Sequence, residues 1–182
     1  MRKSSLSLFV LALAAGCTSV VHQGGEKNLP TAEARLFLAP FFNATDDDHA
    51  GRALTEMTAS ALLERGFPLV QTEPALVKSR AENAGGPDGL YLETARALQT
   101  TYLLIGTVHE YRYKTDLDGD PAVGITLRLV DAKDGRTLWQ GSSARVSVLF
   151  ASLSAAAQRA VHDLVQRMPR LSLQTKPSAS QH

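Results

Sequence analysis

Cysteine is almost missing from this chain: Cys17 is the only one in 182 residues, so no disulfide can form within it. The fold must rest on its core. An excess of charge of one sign is also missing, since 19 Lys and Arg face 18 Asp and Glu, and nucleic acid usually demands a clear basic surplus on one face. No glycine-rich phosphate loop and no Gly-x-Ser-x-Gly elbow occurs. The five histidines, at 22, 49, 109, 162 and 182, include no pair at metal-ligand spacing, and zinc would lack a second thiolate. His109 on a strand and His162 beside a helical stripe read as structural. These absences point away from an enzyme, a metal site or a cofactor. A long apolar run is lacking too: the longest, residues 6–15, is half of what a membrane-spanning helix needs.

What is present starts at the N-terminus. Arg2 and Lys3 precede that apolar run, and Leu13-Ala14-Ala15-Gly16-Cys17 closes it in the manner of a lipobox. Cleavage before Cys17 would expose a thiol able to carry a diacylglycerol thioether, and further acyl chains make such an anchor stable. Thr18 follows in place of the acidic residue that retains many lipoproteins at the inner membrane, so the outer membrane is the expected address. Loss of Arg2 and Lys3 leaves 17 basic against 18 acidic side chains, a mature formal charge of −1. The expected organisation is a signal peptide over 1–16, a lipidated tether over 17–33, one domain over 34–170 and a flexible tail over 171–182. One domain with a real core suits this length.

The element order predicts an α/β (α+β) fold: a mixed sheet of about five strands, with an antiparallel C-terminal meander and helices packed on the sheet. Residues 35–42 form a nearly continuous apolar run, read as a strand covered on both faces, with Pro40 marking an edge or an irregular end. Leu54, Met57, Ala61 and Leu62 recur at helical spacing over 50–65, and Gly66 supplies a stop. A short strand over 67–72, a helix over 73–83 and another over 90–98 follow. Strict alternation over 101–113 predicts a long strand, with Leu103, Ile105, Thr107, His109, Tyr111 and Tyr113 on one face. Strands over 122–131 and 137–148 flank the Asp134-Gly135 turn, and 152–168 carries an amphipathic stripe ended by Pro169.

Two acidic loops stand out in a nearly neutral chain: Asp46, Asp47 and Asp48 before the first helix, and Asp116, Asp118 and Asp120 between two strands. A helix N-terminus explains one of the first three. The second set begins like a calcium loop, but Gly119 falls two positions early, Pro121 takes the glycine position and Leu127 stands where the bidentate glutamate belongs. Together the loops could make an electronegative surface for a cationic ligand. Val148, Leu149 and Phe150 lie in succession where a loop would be polar, a patch suited to core, a subunit contact or a membrane.

The run Leu36-Phe37-Leu38-Ala39-Pro40-Phe41-Phe42-Asn43, then Leu63-Glu64-Arg65-Gly66-Phe67 and Tyr102-Leu103-Leu104-Ile105-Gly106-Thr107-Val108, resembles outer-membrane lipoproteins whose domain is like the TolB N-terminal domain and CsgG. Gly124-Ile125-Thr126-Leu127-Arg128-Leu129-Val130-Asp131, followed by residues 135–145 and by Ser152-Leu153-Ser154 with Ala157-Gln158, looks most like the PelC family of the Pel exopolysaccharide export machinery. The resemblance covers 34–168. It implies a non-enzymatic ring of identical lipoproteins on the periplasmic side of the outer membrane, whose acidic lumen guides a cationic amino-sugar polymer to a PelB-like export barrel. By charge, Asp46, Asp47, Asp48, Asp116, Asp118 and Asp120 are the lumen candidates. By position, Val148, Leu149 and Phe150 are the membrane-facing candidates. The family places a tryptophan in that region, whereas here the only one is Trp139, on the preceding strand. An LpoB-like activator of a peptidoglycan synthase is the alternative, and tether length separates the two.

Overall fold

The long alternating segment after residue 101 becomes the strand on which the rest of the domain is built. The computed structural model describes residues 18–30, 34–70, 87–114, 119–146 and 152–172. Its elements are β1 (Thr18–Gly25), β2 (Asn28–Pro30), β3 (Leu36–Leu38), β4 (Phe42–Asn43), α1 (Ala50–Glu64), β5 (Leu69–Val70), α2 (Pro87–Ala97), β6 (Tyr102–Tyr113), β7 (Pro121–Asp131), β8 (Thr137–Val146), α3 (Leu153–Arg167) and β9 (Arg170–Ser172). Seven strands form one mixed sheet in the order β1-β8-β7-β6-β3-β5, with β4 also on β6. The antiparallel meander β6-β7-β8 is as expected, and β3 and β4 run parallel to β6. The helix expected over 73–83 lies outside the described residues.

Two strands beyond the expected five have separate origins. The run over 35–42 is split: Ala39 N–H still donates to Leu104 O at 3.0 Å, Pro40 has no N–H to give, and Phe41 N–H turns away to Thr55 Oγ1 at 3.0 Å. The other origin is the segment expected to be a tether. Thr18–Gly25 pairs along its whole length with β8, Glu26 N–H donates to Leu138 O at 2.8 Å, and Leu29 is fully buried. β2 then pairs with β9, which takes Leu171 and Ser172 out of the expected tail. Backbone ladder bonds hold β1 to an existing edge, so its polar sequence shows no strand pattern.

Side chains alternate between two apolar layers. Leu36, Leu38, Leu104, Val108, Leu127 and Trp139 face Leu54 and Leu62 of α1 and Ala156, Ala160 and Leu164 of α3. Phe37, Leu103, Ile105 and Val130 face Leu90 and Ala95 of α2. Gly106 lies under the Phe41 ring, where an added Cβ would sit 2.4 Å from ring carbons. The alternation of β6 holds only to Val108. A bulge between Val108 and Glu110 makes His109 the extra residue, so Tyr111 packs in the α1/α3 layer and not with Leu103 and Ile105. His109 Nε2 lies 2.9 Å from Thr126 Oγ1 on β7.

The helix ends follow their sequence signals. Gly66 adopts φ +77 after α1, and Phe67 N–H donates back to Leu62 O. α2 starts three residues before the expected 90–98, with Pro87 in the first-turn position that needs no N–H. Ser152 caps α3, its Oγ accepting from Ala155 N–H at 3.1 Å. The other end of α3 is capped from a distance: the Arg65 guanidinium donates to Val165 O and to Met168 O and sits 5.4 Å from the Phe67 ring. Burial, then the charge of Arg170, pulls this guanidinium below its ordinary pKa. Arg65→Met should therefore lower stability by about 2 kcal/mol in urea unfolding, because it strands carbonyls that a charged donor had satisfied. Arg65→Lys should recover less than half, since a point charge cannot fork across two carbonyls.

Candidate functional site

The strand register gathers one end of the sheet into a single surface. Tyr113 pairs with Pro121, Ala122 with Val146, and Val146 with Thr18. The last residues of β6 and β8 and the first residues of β7 and β1 therefore lie together. The β6–β7 hairpin closes there through Lys114 N–H donating to Asp120 O at 2.8 Å. Helix α3 starts there as well, and Leu153 N–H donates to the Tyr113 hydroxyl at 3.1 Å. Tyr113 is nonetheless 52% exposed, an amphipathic ring with its polar tip engaged and its body facing outward.

The first acidic loop follows β4, which runs parallel to β6. Ala44 N–H donates to Val108 O at 2.9 Å, which ties the loop to the second half of β6. Inside the loop, Asn43 Oδ1 accepts from Thr45 N–H and Thr45 Oγ1, Asn43 Nδ2 donates to Asp47 O at 2.7 Å, and Asp47 Oδ1 accepts from His49 N–H at 2.8 Å. Asp47 is thus consumed in building the turn. Asp46 and Asp48 are exposed, and no hydrogen bond or ion pair holds them among the described residues. Of the acidic candidates, Asp120 lies at this end, while Asp46, Asp47 and Asp48 lie in the loop that Ala44 ties to Val108 at the middle of β6. Asp116 and Asp118 lie outside the described residues, as do Cys17, Val148, Leu149 and Phe150.

Trp139 is not part of any surface. It is 3% exposed, its ring covers Gly141, where an added Cβ would fall 2.7 Å from ring carbons, and Leu164 of α3 closes over the same spot. Sequence reasoning passed over Tyr113, whose place at the sheet end depends on which strand termini meet. It also missed a shallow trough of 430 Å³ lined by His109, Glu110, Arg112, Gly124, Thr126 and Ser142. The trough offers no net attraction for a cation, because the Glu110 carboxylate is already 3.0 Å from Arg112 Nε. Unengaged carboxylates sit in the loop at Asp46 and Asp48, and on the helices at Glu56, Glu64 and Glu93.

No family model matches the chain, and no curated protein does. Solved structures do, and first among bacterial lipoproteins as a class: the architecture is similar to lipoprotein GNA1162 from Neisseria meningitidis, with a TM-score of 0.53 and 23% identity over 73% of this chain and 96% of that one. The likeness to PelC goes further. The PelC dodecamer from Paraburkholderia phytofirmans matches with a TM-score of 0.69 and 24% identity, over 85% of this chain and 100% of that chain. A point variant of that PelC matches at 0.68 with 26% identity, over 84% and 99%. The chain has the PelC fold.

Proposed function

We propose that this chain is a lipid-anchored outer-membrane protein that assembles into a ring and steers a cationic exopolysaccharide toward an export barrel, without chemistry of its own. The observation that carries the reading is the likeness to a PelC dodecamer subunit over the whole of that subunit. The site agrees with it in kind. Asp46 and Asp48 are free carboxylates on a domain that is otherwise nearly neutral, and a ring would repeat each of them around one axis. Repetition turns a few weak contacts into a strong field, and each contact stays weak enough for a polymer to keep moving. The tether argues in the same direction: β1 begins at the residue after Cys17, leaving no long leash of the kind a peptidoglycan-synthase activator uses.

Light scattering and negative-stain microscopy of the acylated protein test the assembly. A closed ring is expected, and a strict monomer in detergent and in lipid would overturn the reading. Changing Asp46, Asp48 and Asp120 together to Asn should leave the unfolding midpoint within about 2 °C, as surface substitutions usually do. The same variant should bind partly deacetylated chitosan oligomers about tenfold more weakly at low salt, an effect of roughly 1.4 kcal/mol that fades as salt is added. Asp47 is left out because its substitution would break the turn.

A further inference from the structure

We infer that the open part of the sheet face beside α2 is a binding site for the uncharged, N-acylated sugar units of a polymer. The inference rests on the polymer reading above and deepens it: an amino-sugar chain whose amines are only partly free presents neutral units between its charged ones. Helix α2 covers Phe37, Leu103, Ile105 and Val130. The next row of the same face is open to solvent. Phe42 pairs with Thr107, Thr107 with Thr126 and Thr126 with Ser142, so β4, β6, β7 and β8 contribute one line of side chains. Phe42 is 53% exposed and the three hydroxyl residues are half-buried. The bulge in β6 adds His109, whose Nε2 lies 2.9 Å from Thr126 Oγ1. Gly124 comes next along β7, and its missing side chain leaves the floor of the 430 Å³ trough open.

The chemistry of this line suits a pyranose. A sugar ring has an apolar C–H face and a rim of hydroxyls, and an exposed aromatic ring beside hydroxyl and imidazole groups meets both. Neighbouring strands about 4.8 Å apart put Phe42 about 10 Å from Thr126, so a disaccharide reaches from the ring to the trough. The trough volume falls among those of small-molecule sites, about 300–1,000 Å³. Charge selects the occupant. Glu110 pairs with Arg112 in the trough, and Arg128, two residues along β7 from Thr126, pairs with Asp88 of α2. These matched charges offer no net pull on an ammonium or a phosphate, while their remaining donors and acceptors suit hydroxyls and amides. The polymer is thus divided between two places on the domain: acylated units to the sheet face, free amines to Asp46 and Asp48.

Titration calorimetry of the full acylated protein with fully N-acetylated chitotetraose, a neutral probe, and with the same tetramer bearing free amines, a cationic one, tests the site. The neutral probe should bind, with an affinity that salt leaves unchanged and that the Asp46, Asp48 and Asp120 to Asn variant retains. Gly124→Val should abolish that binding and spare the cationic probe. An added Cβ there meets Glu110 Cβ at 3.4 Å and His109 Cβ at 3.7 Å, ordinary contacts, so the branched side chain fills the trough and suits a strand. Phe42→Ala and Thr126→Val should each weaken the neutral probe several-fold, and they decide the matter if Gly124→Val fails to fold. Binding of the neutral probe that none of these variants weakens overturns the site. Failure of the neutral probe alone refutes the sheet-face site and leaves the acidic loop standing, whereas failure of both probes refutes the polymer reading with it.

Discussion

Trp139→Ala should lower the stability of the domain by about 3–5 kcal/mol, the range for removing a large aromatic side chain from a packed core. For a domain of this size that corresponds to a fall of about 10 °C or more in the unfolding midpoint. The argument is geometric. The ring fills the space above Gly141, which has no side chain of its own there, and it forms the floor under Leu164 of α3. Truncation therefore removes the ring's contacts with the sheet and the helix together, and neither backbone can collapse into the space, because one is a paired strand and the other is held at its far end by Arg65. Urea unfolding followed by circular dichroism measures the loss. The same burial has a consequence at the membrane: the tryptophan emission of the native protein should not change when vesicles are added. A shift to shorter wavelength with lipid would mean that the core opens on binding.

Much of this architecture is legible in the sequence where side-chain pattern decides structure. Helix α3 shows itself through Ala156, Ala160, Val161 and Leu164, all of which are buried, and β7 through Ile125, Leu127 and Leu129. Gly66 and Pro169 mark the ends of α1 and α3, the glycine by taking a left-handed φ of +77 and the proline by having no N–H to give. Features held by the backbone are silent by comparison. The pairing of Thr18–Gly25 depends on an edge supplied by β8, more than a hundred residues away, and nothing in Thr-Ser-Val-Val-His-Gln-Gly-Gly demands it. The bulge at His109 is silent for the same reason: Tyr111 and Tyr113 continue the written alternation while the chain has already changed faces. Arg145 is a third case. Nothing in the sequence marks it as paired, yet it is 13% exposed and 2.6 Å from Asp163 of α3. Of the candidate site, the acidic loops are visible as composition. That Asp120 lies at the end of the sheet, and that Asp47 differs from its neighbours, emerges only from the register and the turn bonds.

Cys17→Ser, in a chain whose residues 1–16 are replaced by an ordinary cleavable secretory signal, should release the protein from the membrane into the soluble periplasmic fraction. A single acyl chain binds bilayers with a constant of only about 10⁴ M⁻¹, so stable attachment depends on several chains, and in the proposed anchor two of them reach the protein through the diacylglycerol thioether on this sulfur. The exposed ring of Tyr113 cannot substitute for them. One half-exposed tyrosine ring contributes about 2 kcal/mol at most by the area it could still bury, far less than acyl chains supply at about 0.8 kcal/mol per buried CH₂. Folding should be indifferent to the change, because the first paired residue is Thr18 and the ladder to β8 is untouched. The unfolding midpoint is expected to stay within about 2 °C of the native value. These two readouts separate anchor from fold. A serine variant that is folded but soluble assigns attachment to the sulfur. A folded variant that stays with the membrane would move the attachment to the protein surface, and the end of the sheet around Tyr113 would have to be far stickier than its exposed area allows.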